Sequence, residues 1–213
     1  TEDLGFTTNN TSARVMKPLI EALSTTGGGR HETIKEAFER GAFRDIRLLK
    51  LAVAGIDDVY TELADYMAET VVPSYGKAIV PLIRERVRLK GNRGDARRLA
   101  LLHRLAPEVA RPIARRALKE KSSQLVKISA IQALAEDESA LPLLLEHAKG
   151  QAWEVRAEAL KAIALHDRQE VVDLLIEGLR GKDIDRAAEA IARSKSQRLA
   201  KVLLEEAEGQ LSA

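Results

Sequence analysis

The chain has no cysteine, which excludes disulfides, thiolate metal sites and cysteine nucleophiles together. Aromatic residues are scarce: three Phe, three Tyr and one Trp among 213 residues. A core must then be built chiefly from Ala, Leu and Ile, small or unbranched side chains that tolerate helical backbone well. No apolar run approaches the roughly 20 residues that cross a bilayer, so no membrane span is expected. No signal-peptide pattern is read at the start, which sets a cytoplasmic expectation. The overlapping sequons at Asn9 and Asn10 would matter only in a secreted protein.

Recognised catalytic patterns are missing too. The histidines are His31, His103, His147 and His166, and none has a second His or a carboxylate at a metal-ligand spacing. They are expected at solvent-facing or loop positions, with no metal and no cofactor bound. Gly27-Gly28-Gly29-Arg30 precedes a helical pattern but lacks the Gly-Lys-Ser/Thr order of a phosphate-binding loop, so it reads as a flexible turn. Asp57 and Asp58 are expected to open the helix at Val59 by complementing its dipole. No acid/base pair or nucleophile constellation emerges, and the expectation is a protein that is not an enzyme.

What is present is a repeat. The segment from Glu146 to Leu160 matches the one 31 residues later, with Glu, Gly, Ala, Glu and Ala coinciding and Leu160 meeting Ile191. Going backwards, Val126–Leu134 matches Val155–Ile163 at an offset of 29, and Arg97–Leu105 matches at 29 again. A second marker runs independently: Pro81, Pro112 and Pro142 precede apolar pairs at spacings of 31 and 30. Pro18 lies 63 residues before Pro81, which is two periods. Within a period the apolar residues keep helical spacing, as in Val155, Ala159, Leu160 and Ile163, and short polar or Gly breakers separate the stripes. Asp137 and Ser139 read as N-caps, and Gly150 as a C-cap. The pattern predicts six helix pairs, near 11–40, 44–72, 76–105, 108–135, 138–165 and 168–193, with a last helix near 196–209. Residues 1–213 then form one repeat domain, with 1–10 as a disordered tail.

The string Glu154-Val155-Arg156-Ala157-Glu158-Ala159-Leu160, followed by Ala162-Ile163, Asp167, Val171 and Leu174-Leu175, resembles the HEAT-like repeat of the phycobilisome-lyase type. The resemblance runs from Pro18 onward and is clearest over 95–195. It implies an all-α fold, a right-handed α-α superhelix, with Pro81, Pro112 and Pro142 in first helices and Lys127 and Arg156 at the ladder position of second helices. Many HEAT repeats place an acidic residue in the turn as the ladder partner; here Gly150 and Gly181 stand there. Trp153 is expected to close the packing between adjacent repeats.

Charge is the other informative pattern. The net charge is only +2, but residues 84–127 carry 14 Lys/Arg against four acidic residues, a local net of +10. The flanks are acidic, at −3 for residues 1–83 and −5 for 128–213. Arg97 and Arg104, seven apart, can share a helix face, as can Arg111 and Arg115, four apart; Arg86 and Arg98 complete the candidate set. Arginine suits bidentate pairing with carboxylate or phosphate. The expectation is a monomeric scaffold whose concave face binds a protein partner, an acidic one. The alternative is duplex nucleic acid, held by its backbone alone, because the stretch has no aromatic for base stacking.

Overall fold

The computed structural model describes residues 12–211, with residue 182 left out, and it is helical throughout, with no strand among the described residues. The chain divides into two units, Thr1–Ala110 and Arg111–Ala213. The tail expected over 1–10, with its two sequons, lies outside the described residues.

Unit 1 opens with α1 (Ala13–Ser24), which packs on α2 (Arg30–Glu39). Pro18 sits inside α1, and Met16, Leu19 and Ala22 form its buried stripe. Two 3-10 turns, Ala42–Arg44 and Ile46–Leu48, lead into α3 (Leu49–Ala54) and a further turn, Gly55–Asp57. Then α4 (Thr61–Tyr66) runs on as a π-helical turn, Met67–Val71, and a 3-10 segment, Val72–Ile79. Gly76, at φ 59° and ψ −149°, interrupts that segment in a region nearly closed to other residues. The unit ends with α5 (Val80–Arg86), carrying Pro81 in its first turn, and α6 (Arg93–Leu105). The spans expected at 44–72 and 76–105 are therefore helical but broken. Asp58 does not start a helix at Val59: α4 begins at Thr61, and the Asp58 carboxylate accepts from Tyr60 N and from Arg30.

Unit 2 is more regular. The dividing point falls inside α7 (Pro107–Lys119); α8 (Gln124–Leu134), α9 (Leu141–Ala148), α10 (Trp153–Ile163), α11 (Gln169–Arg180), α12 (Ile184–Ile191) and α13 (Gln197–Leu211) follow. Each falls in the span its apolar period predicts. Ser123 caps α8, and Asp137 caps a 3-10 turn ahead of α9. The stripe Val155, Ala159, Leu160 and Ile163 is fully buried. It faces three neighbours at once, for α10 packs on α9 and also on α8 and α12. Burying one such Leu or Ile contributes about 1.5–3 kcal/mol.

Candidate functional site

Four of the six candidate arginines reach acceptors on another segment of the chain. Arg97 donates from Nε to Asp65 Oδ1 at 2.7 Å and from Nη1 to Ile56 O at 3.2 Å. Arg104, one face with Arg97, donates from Nη1 to Glu69 O at 2.9 Å. Arg115 donates to Asp137 Oδ2 at 2.6 Å and to Ser139 Oγ at 2.5 Å. Arg98 is 4% exposed and pairs with Asp57 and with Asp95, the latter at 3.3 Å. The spacing of these arginines is visible in the sequence, but their acceptors lie 3 to 41 residues away and follow no period.

The other two form no ion pair among the described residues. Arg111 is exposed on α7, and Arg86, half-buried at the end of α5, lines a cavity of about 320 Å3 inside unit 1. The α5–α6 loop forms this cavity. Asn92 caps α6 by accepting from Gly94 N at 2.9 Å, and Asp95 returns the bond by accepting from Asn92 N. The other Asp95 oxygen accepts from Arg88 N at 2.9 Å. The loop leaves no room for side chains at two places: a Cβ on Gly91 would run into the Asp95 carboxylate, and one on Gly94 into that of Asp57. Arg98 and Asp95 are thus held as a buried ionic knot at the cavity wall, with Arg86, Arg88 and Glu85 completing the lining.

In unit 2 polar ties recur at a near-constant sequence separation. Gln132 donates to Glu158 at 3.0 Å, 26 residues on, and Lys161 pairs with Glu189 at 2.8 Å. His147 Nε2 lies 3.0 Å from Leu118 O, 29 residues back, and His166 Nε2 lies 2.8 Å from Ala135 O, 31 residues back. Arg156, at the ladder position, donates to Gly150 O at 2.7 Å and pairs with Asp183 at 3.0 Å, 27 residues on. Asp183, two residues after Gly181, is thus the acidic partner of Arg156. Beside Arg156 and Arg186, the Asp183 carboxyl is held below its ordinary range. Lys127 is half-buried, and no ion pair forms on it among the described residues.

Two expectations are corrected here. His31, His103 and His147 stand half-buried within α2, α6 and α9 rather than at solvent-facing or loop positions. His166 does sit in a loop, after α10, but is buried there with a nitrogen toward Glu138 and the other toward Ala135 O. Trp153 does not close the packing: it is 56% exposed, with the Arg186 guanidinium 5.3 Å over its ring. The latter belongs to a set that sequence reasoning missed. Leu125, Trp153 and Ile184, three exposed large apolar side chains, all stand in the first turns of α8, α10 and α12. The signal was available, since these positions interrupt the polar N-terminal turn at spacings of 28 and 31.

Among the described residues no group of three or more His, Asp or Glu is arranged to hold a metal ion. Nor is any helix long and apolar enough to cross a membrane. No family model matches the chain, and no curated protein or solved structure matches it either.

Proposed function

We propose that the chain is a HEAT-like helical-repeat protein, a right-handed superhelix that works as a monomeric, non-enzymatic, cytoplasmic scaffold for a protein partner. The observation that carries this reading is the set Leu125, Trp153 and Ile184, each exposed and each in the first turn of its helix, with Trp153 and Ile184 at the same position of successive repeats. Repeat stacks use surfaces built from recurring positions for binding. A half-exposed Trp under an Arg is the side-chain combination that dominates interface energetics. The polar ties spaced by 26–31 residues in unit 2 support the repeat reading independently.

The nucleic-acid alternative draws less support. Duplex binding scales with the number of cations that meet phosphates. Of the six candidate arginines in the basic stretch, four already have acceptors in the chain, which lowers the number of cations there that are free for phosphates. The partner, on this reading, is held by apolar anchors with basic groups at the rim.

The test is a comparison of two variants against partners recovered by co-purification and then purified. Trp153→Ala/Ile184→Ala should weaken partner binding by about tenfold or more while leaving helicity unchanged. Arg86→Glu/Arg111→Glu should change it by less. Partner binding untouched by the first variant overturns the proposed surface. Tight, salt-sensitive binding of random-sequence duplex DNA, lost in the second variant, would move the assignment to nucleic acid.

A further inference from the structure

The cavity at the α5–α6 loop carries an inference of its own, which does not depend on the scaffold reading. Its acceptors are already committed. Asp95 takes Arg98, Arg88 N and Asn92 N; Asp57 takes Arg98; the Asn92 side-chain oxygen takes Gly94 N. Its donors are not. Arg86 and Arg88 line the cavity, and neither guanidinium has an acceptor among the described residues. Arg98 Nε is buried with no hydrogen-bond partner among the described residues. A buried N–H without an acceptor costs about 1–3 kcal/mol, so the wall is short of acceptors, not of donors.

The wall is also expensive to build. It needs a 4%-exposed Arg and a 5%-exposed Asp, and two glycines whose replacement would push a Cβ into a carboxylate. A buried ion cluster adds little net stability over an apolar packing of the same volume. Desolvated charges held in a cleft mark candidate ligand sites.

We infer that this cavity binds a small oxyanion, a carboxylate or phosphate group, with Arg86 and Arg88 as its principal contacts and the Arg98–Asp57–Asp95 knot as the frame that positions them. Arginine forks match both oxyanions through paired N–H donors. Among the described residues Glu85 is the one lining carboxylate without a partner, and its negative charge opposes the ligand. That opposition gives the inference a directional test.

The full chain is titrated calorimetrically, at fixed ionic strength, with inorganic phosphate, with succinate and with a tetraglutamate peptide. Saturable one-site binding of at least one of the three is expected. Phosphate or succinate alone would identify a free small anion as the source; the peptide alone would identify an acidic side chain. Arg86→Gln/Arg88→Gln, which removes two side chains with no partner in the chain, should weaken binding by about tenfold or more without changing the circular dichroism or the thermal midpoint. Glu85→Gln should strengthen it by a few-fold. Absence of saturable binding to all three probes overturns the inference. So does unchanged affinity in the double variant, or weaker binding in Glu85→Gln, which would mark a cation site.

Discussion

The two units solve one problem differently. Unit 2 stacks continuous helices, and its buried polar residues are Ser129 and His166. Unit 1 breaks its helices with 3-10 and π turns, and it buries Arg30, Asp45, Asp95 and Arg98. Every buried arginine and carboxylate among the described residues is therefore in unit 1. Where the apolar period is kept, helix stacking fills the core, and side chains such as His147, Arg156 and His166 meet the carbonyls at helix ends and turns. Where it fails, as at Gly76 and the π turn, the freed loops are tied down by ions. A tie of that kind contributes little when intact and costs much when half of it is removed.

The largest expected effect breaks this contrast directly. Arg98→Ala leaves Asp95 buried without its cation and should destabilise unit 1 by about 3–5 kcal/mol in urea unfolding. Arg115→Ala in unit 2 leaves Asp137 with its Ser139 bonds and partial exposure, and should cost about 1 kcal/mol or less. Equal losses in the two would erase the distinction drawn between the units. Next, Leu160→Ala should cost about 2–5 kcal/mol in unit 2 through the cavity it opens under α10. A denaturation midpoint equal to wild type would undo the packing assigned to that stripe.

Gly94→Ala should cost about 1–3 kcal/mol, because the methyl group meets the Asp57 carboxylate that pairs with the buried Arg98. Retained stability would mean that Asp57 can move away and that the knot is loose. Acid should destabilise both units. Asp58 is held below its ordinary range by Arg30, Asp137 by the Ser139 hydroxyl and Arg115, and Asp183 by Arg156 and Arg186. A depressed carboxyl contributes its stability above the unfolded-state value near ~4, and that stability is lost as pH falls through the folded value. Unfolding free energy should therefore be flat from neutrality down to about pH 5 and drop below about pH 4, and Arg30→Gln should shrink the unit 1 share of the drop. The smallest effect is Trp153→Ala, under about 1 kcal/mol, since the ring is half in water and its one directional contact is Arg186.

Unit 2 was largely legible because its signals are local. Val155, Ala159, Leu160 and Ile163 lie within nine residues, and their spacing alone states which face is buried. Unit 1 was legible only as helical. Nothing in Met67–Val71 announces a π turn, since the backbone there is set by packing against α3 and α6 rather than by propensity. The basic stretch was legible as composition and misleading as a surface. Arg97 and Arg98 are adjacent in sequence, yet one reaches Asp65 and the other Asp57, and both are largely out of solvent. Long-range pairing cannot be read from the spacing of one partner. The exposed set of Leu125, Trp153 and Ile184 in first turns was readable, but only by asking which positions break the polar rule rather than which obey the apolar one.

The distribution of chromophores has a practical consequence. Trp153, the only tryptophan, is in unit 2, while Tyr60, Tyr66 and Tyr75, the only tyrosines, are all in unit 1. Selective excitation of the indole then follows unit 2, and phenol absorbance follows unit 1, in unlabelled protein. A guanidinium over the indole makes its emission sensitive to whatever displaces Arg186. The chain carries its own optical gauge for each half, and the one in unit 2 sits on the surface assigned to the partner.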